Sequence, residues 1–285
     1  MPGFTLKDDQ HFTLDLTLSC GQVFRWERQP DGWWTGVVGD RVIRIRQEGN
    51  RLEYSGAGRK FITHYFALDT DLPAIVSSFD RDPVIHAAAE QCRGLRLIRQ
   101  PPWECLVSYI CATNSNIPMI KKRIEHIAQR FGTPIERGEK VWYGFPGPAR
   151  LAGCCDSILS ECKMGYRGPY LRETACAIPD ESAWKRSIAS LPYPDARKEL
   201  MKLQGVGPKA ADCILLFSFQ KYEAFPVDVW IRRIMRDHYL PSLLKEKSLS
   251  GREYDAILRF AKEHFGEYCG YAQEYLYAAR GPEAK

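Results

Sequence analysis

Leu203-Gln204-Gly205-Val206-Gly207-Pro208-Lys209-Ala210-Ala211-Asp212-Cys213 is the stretch that decides the fold. It reads as the end of one helix, a tight glycine turn and the start of a second helix. Two glycines around one apolar residue let the backbone turn with its N–H groups outward, at the positive end of the second helix. Such a turn suits a phosphate. The spacing is not that of a P-loop, because G-x-x-x-x-G-K-[ST] is absent. Ala196 to Leu203 and Lys209 to Phe219 carry the helical patterns on either side, so a helix-hairpin-helix is expected at about 195–219. A motif of this kind grips nucleic-acid backbone through Gly205, Val206 and Gly207 without reading bases.

Lys209 falls in the first turn of the second helix, where the positive helix end and apolar neighbours both favour a neutral amine, which is a nucleophile. A solvated lysine touching phosphate fits the same position. Nineteen residues on, Pro226-Val227-Asp228-Val229-Trp230 reads as a loop ending in a helix N-cap at Asp228, a carboxylate that can also serve as an electrostatic partner.

Outward from this centre, residues up to about Gly56 alternate as strands do, in Thr13 to Leu18, Trp33 to Val38, Val42 to Arg46 and Arg51 to Tyr54. From Pro73 the period is helical, with Asp82-Pro83 opening a helix. The fold class is therefore α+β: an N-terminal antiparallel sheet lobe with helices over 1–98, then a mainly helical region over 99–285. Pro101-Pro102 marks the boundary, and Phe131 to Pro148 reads as a loop-rich connection. Asn114-Ser115-Asn116 separates two helices and can cap the second, whose basic face of Lys121, Lys122, Arg123 and Arg130 reads as a solvated surface. Met164 to Tyr170 reads as an exposed loop presenting Tyr166 and Arg167, either a linker or a probe of base pairs.

A net charge of +5 on 285 residues permits a polyanionic partner without demanding one. No apolar run reaches membrane-spanning length and no signal peptide opens the chain, so an intracellular protein is expected, in cytoplasm or nucleoid if prokaryotic and in the nucleus if eukaryotic. The ten cysteines include no C-x-x-C pair, and neither a disulfide framework nor a metal site is expected.

Taken with Cys20-Gly21-Gln22-Val23-Phe24-Arg25-Trp26, Trp103 to Cys111, Asn114 to Ile117, Gly165-Tyr166-Arg167 and Gly270-Tyr271-Ala272-Gln273, the hairpin makes a constellation that covers nearly the whole chain. It resembles the 8-oxoguanine DNA glycosylase/AP lyase branch of the helix-hairpin-helix glycosylase superfamily. The resemblance implies an active site in the cleft between two interleaved helical lobes, Lys209 as nucleophile and Asp228 as the catalytic aspartate. It implies that Gly21 offers its carbonyl to the N7–H of the oxidised base, that Gln273 contacts the base's Watson–Crick edge, and that Tyr277 and Cys213 sandwich it. Asn114 would fill the vacated space, Tyr166 would wedge the stack and Arg167 would bond the orphaned cytosine. The implied partner is double-stranded DNA containing oxidised guanine, met by a monomer without cofactor, metal or membrane. With only Cys269 after the aspartate, no iron–sulfur cluster is implied. Two positions depart from the family: Met119 stands where a second cytosine-reading arginine is typical, and Trp230 where a histidine is often found. A glycosylase for other damaged bases and a non-catalytic DNA-binding module are the competing readings.

Overall fold

The first sixty residues make the sheet that the alternation predicts, and they add one helix that it does not. This computed structural model describes residues 2–7, 9–138, 140–243 and 249–280. Strands β1 (Gly3–Thr5), β2 (Trp26–Arg28), β3 (Trp34–Val38), β4 (Arg41–Glu48) and β5 (Arg51–Ser55) pair antiparallel in the order β1-β5-β4-β3-β2. Trp34 lies opposite Ile45 and Ile45 opposite Tyr54, a buried cross-strand row. Period-2 burial on one face explains why these runs are strands.

Thr13 to Leu18 differs from the expectation of a strand: Leu14–Ser19 is helix α1. Leu14, Thr17 and Leu18 are its buried residues, a spacing of three and four that lays one helical face on the sheet. The Leu14 N–H is taken by Gln47 Oε1 at 2.7 Å.

Helices α2 (Arg59–Tyr65), α3 (Leu72–Phe79) and α4 (Pro83–Gln91) follow, then α5 (Pro102–Ala112) and α6 (Ile117–Phe131). Side-chain caps start most of them. Asp71 accepts from Ala74 N at 3.0 Å, Asp82 from Val84 N at 2.8 Å and Asn116 from Met119 N at 3.0 Å, each with proline in the first turn. Arg123 of α6 departs from the expected solvated basic face. It is buried, and its guanidinium donates to Lys163 O, Cys111 O and Ser115 Oγ.

The connection read as loops contains a hairpin, β6 (Pro134–Arg137) with β7 (Lys140–Tyr143), whose sides are exposed or half-buried. So little apolar alternation leaves scant strand signal in the sequence. Helices α7 (Pro148–Ala152), α8 (Asp156–Glu161), α9 (Arg167–Ala177), α10 (Glu181–Ser190), α11 (Tyr193–Met201), α12 (Pro208–Phe219), α13 (Val229–Ile234), α14 (Gly251–Phe265) and α15 (Cys269–Ala278) complete the chain.

Two apolar clusters form the interior. One joins the sheet to α1, α2 and Ile98. The other joins the helices from α5 onward and reaches back to α3 and α4 through Leu72, Ile75, Phe79 and Ile85, so this packing runs across the 98/99 boundary. Gln22 ties the clusters together: its amide donates to Thr17 O and Arg96 O and accepts from Ile98 N at 2.7 Å. Its carbonyl accepts from Gln100, whose own N–H bonds Phe217 O at the end of α12. The loop carrying Gly21 is thereby fixed relative to the helix carrying Lys209. Cys105, Cys111, Cys213 and Cys269 are buried free thiols.

Candidate active site

Helices α11 and α12 are joined by the glycine turn, as the spacing predicts. Gly205 has φ +79°, and a methyl group there would sit 3.0 Å from Tyr170 Cβ, so both backbone conformation and close approach call for glycine. Val206 is buried, while Gly207 and Pro208 are exposed at the start of α12. No side chain caps this helix, which leaves its positive end open to an outside anion. Thr174 Oγ1 donates to Gln204 O at 3.0 Å and pins the turn to α9.

Lys209 is half-buried, and its Nζ stands 5.0 Å from the centroid of the buried Tyr109 ring. One helical turn on, Cys213 is buried beside the same tyrosine, to which it is hydrogen-bonded. Burial pushes the Cys213 thiol up to about 12, against the opposing pull of the Lys209 charge. Cys213 is thus a neutral thiol at physiological pH, a flat packing surface and not a rival nucleophile.

Asp228 caps α13: its Oδ1 accepts from Trp230 N at 2.9 Å and Ile231 N at 2.8 Å. Both bonds fall on one oxygen. The far end of α13 is held by Arg232, which pairs with Glu253 of α14 at 2.9 Å. Trp230 is half-buried, with the Arg233 guanidinium 4.6 Å over its ring.

Helix α15 forms the facing wall. Gln273 is buried and its Oε1 has no hydrogen-bond partner. Tyr277, four residues on, faces the Gly21 loop: a methyl on Gly21, whose φ is +109°, would lie 3.6 Å from Tyr277 Cε1. The Arg280 guanidinium lies 3.4 Å over the Tyr277 ring centroid. Between them sits a group that the sequence reading passed over. Glu274 is only 3% exposed, and its Oε1 also lacks a partner. Burial pushes its carboxyl up to about 8, against a hydrogen bond with Cys20 and the Arg280 charge, with the Asp228 charge raising it further and Lys209 opposing. A glutamate between Gln273 and Tyr275 carries no sign of burial in the sequence, since charged side chains are ordinarily exposed, yet α15 is buried from Cys269 to Leu276.

The expected DNA-probing residues divide. Asn114 is exposed with φ +47°, a left-handed conformation that asparagine tolerates, and Tyr166 is 51% exposed. Arg167 is not presented as expected. It opens α9, is 5% exposed, and donates to Thr113 O and, at 3.1 Å, to Asn114 O, with its guanidinium 4.3 Å over the Tyr166 ring. Two carbonyls left outward by the turn at Asn114 give it closer partners than solvent. Met119 is half-buried in the first turn of α6. Among the described residues no group of three or more His, Cys, Asp or Glu is placed to hold a metal, and no helix is long and apolar enough to cross a membrane.

Residues 5–106 match the family described as the N-terminal domain of 8-oxoguanine DNA glycosylase. A probable N-glycosylase/DNA lyase of Methanothermobacter thermautotrophicus is 35% identical over 241 residues, covering 77% of this chain and 73% of that protein. The 8-oxoguanine glycosylase/lyase of Clostridium acetobutylicum superimposes in its apo form with a TM-score of 0.85 at 35% identity, over 94% of this chain and 92% of that one. The same Clostridium protein has been solved with double-stranded DNA containing cytosine opposite 8-oxoguanine, again at a TM-score of 0.85. Sequence identity and shared architecture agree over nearly the full length, and the chain belongs to the 8-oxoguanine DNA glycosylase/lyase family of the helix-hairpin-helix superfamily.

Proposed function

We propose that the chain removes 8-oxoguanine from duplex DNA and nicks the strand through a Schiff base on Lys209. The observation that carries this reading is the lysine's setting: an amine half-buried over Tyr109, beside the neutral thiol of Cys213, on the helix that follows the glycine hairpin. The hairpin amides and the open end of α12 hold backbone phosphate, and the lesion nucleotide is turned out of the stack. The lone pair of Lys209 Nζ bonds to C1′ while the C1′–N9 bond breaks, its electron pair leaving with the base. Asp228 stabilises the positive charge that develops on the sugar. The new amine loses a proton as the sugar ring opens to the Schiff base, and loss of a C2′ proton then expels the 3′ phosphate by β-elimination.

Recognition of the oxidised base follows from the two walls. The Gly21 carbonyl accepts the N7–H that only the oxidised guanine carries, and the unpartnered Gln273 Oε1 accepts from the base's Watson–Crick edge. Tyr277 and Cys213 enclose its faces. Asn114 fills the gap and Tyr166 wedges the stack, while Arg167, bonded to Thr113 O and Asn114 O, holds the turn that presents Asn114 to the orphaned base. Because Met119 offers no guanidinium, discrimination for cytosine across from the lesion is weak. The protein acts as a monomer and draws on no iron–sulfur cluster.

Incubation with duplexes carrying 8-oxoguanine, 3-methyladenine or a mismatch tests the reading. Release of 8-oxoguanine with strand nicking is expected. Faster release of another base would move the chain to a different glycosylase activity, and salt-sensitive binding without release or nicking would leave a DNA-binding module.

A further inference from the structure

Asp212 lies in α12 beside Cys213 and is fully buried. Three groups from two elements converge on it. Arg197 Nε and Tyr193 Oη, both from α11, donate to its Oδ1 at 2.8 Å each, and Tyr254 Oη of α14 donates to its Oδ2 at 2.6 Å. The Arg197 guanidinium also lies 5.3 Å over the Tyr254 ring. An ionised carboxylate only accepts, so the Tyr254 proton must point to Asp212. That leaves the lone pairs of the same hydroxyl outward. One of them takes the N–H of Val227 at 3.3 Å.

Val227 is the residue before Asp228. A buried chain of hydrogen bonds therefore runs from the hairpin helices, through Asp212 and Tyr254, to the backbone that carries the Asp228 carboxylate. Its polarity is fixed at every link. Tyr193 binds the same carboxylate but, among the described residues, its hydroxyl makes no hydrogen bond to the loop, which makes it an internal control for the bond to Asp212.

The geometry points to Tyr254, oriented by Asp212, as a positioning residue that sets where Asp228 stands relative to Lys209. This rests on the proposed glycosylase reading and deepens it: the hairpin that holds the phosphate also fixes the catalytic loop. Asp228 is needed where the glycosidic bond breaks, and Lys209 alone suffices to capture an existing abasic aldehyde. Displacing Asp228 should accordingly slow base release far more than Schiff-base formation at an abasic site, since a misplacement of about 1 Å is enough to cost up to 100-fold.

The test compares Tyr254→Phe with Tyr193→Phe. Three readouts are needed: single-turnover release of 8-oxoguanine, borohydride trapping on preformed abasic DNA, and amide hydrogen exchange over residues 224–229. Melting scans check that both variants fold. Tyr254→Phe should slow base release about 10- to 100-fold, leave trapping within about twofold and speed exchange at Val227. Tyr193→Phe should lower the melting temperature comparably and change neither release nor exchange. Equal slowing in the two variants, or unchanged release and exchange in Tyr254→Phe, would overturn the assignment. A native protein that releases no 8-oxoguanine would instead overturn the functional reading, while exchange at Val227 still decides whether the hydroxyl holds the loop.

Discussion

The hairpin wall and the α15 wall of the site solve opposite problems. The hairpin leaves the start of α12 uncapped by any side chain, with the Val206 N–H closed onto Leu203 O at 3.2 Å within the turn, so the positive helix end stands open to a phosphate. The α15 wall holds polar side chains inside, with Gln273 Oε1 and Glu274 Oε1 both buried and unpartnered. Anchoring DNA costs the hairpin little in stability. Preparing an acceptor for one particular base costs the α15 wall a good deal, because unsatisfied buried polar groups are each worth about 1–3 kcal/mol. A site that must bind any backbone and yet one base divides those tasks between its two walls.

Glu274 gives the largest expected contrast. Its carboxyl is raised from the ordinary 4.5 to about 8 by burial, so the folded state prefers the protonated form. The stability linked to this group is complete below about pH 4.5 and is lost as pH rises through about 8, a difference approaching 5 kcal/mol. Glu274→Gln should therefore be more stable than the native protein at pH 9, with a gap that closes toward pH 5. Denaturant titrations at the two pH values measure it. An equal gap at both would show that α15 is not burdened in this way.

Asp228→Asn isolates charge from capping, since an asparagine oxygen can still accept from Trp230 N and Ile231 N. Base release should fall about 100-fold, equivalent to about 3 kcal/mol, with the melting temperature nearly unchanged. A large loss of stability with intact release would make Asp228 a helix cap and nothing more.

At the hairpin the expected effect is smaller and falls on affinity. Gly205→Ala forces a side chain into φ +79° and against Tyr170, a strain of about 1–2 kcal/mol. Binding to undamaged duplex should weaken about tenfold in a filter-binding or anisotropy titration, while release from saturated enzyme holds. Unchanged affinity would remove the hairpin from the DNA interface.

This division also governs what was legible in the sequence. The hairpin, Lys209 and the Asp228 cap are local signals, written in adjacent residues whose backbone demands are distinctive. The α15 wall becomes readable only through the family resemblance, because Gln273 and Tyr277 in isolation describe an ordinary packed helix. Glu274 gave no sign at all, nor did Tyr254 forty-two residues from its partner Asp212. Leu14 to Ser19 misled for a related reason: leucines at alternate positions satisfy period two as well as a spacing of four, and only the sheet beneath chooses between them. The glycines around Arg167 read as an exposed loop. The carbonyls of Thr113 and Asn114 that bury it lie more than fifty residues away.

Peptide mapping of a trapped adduct shows whether Lys209 is the nucleophile. The native protein is incubated with an 8-oxoguanine duplex in borohydride, digested with protease and nuclease, and sequenced by mass spectrometry. A deoxyribose remnant on Lys209 is expected, and no adduct with Lys209→Gln. A remnant on another amine, or an undiminished adduct in that variant, would contradict it.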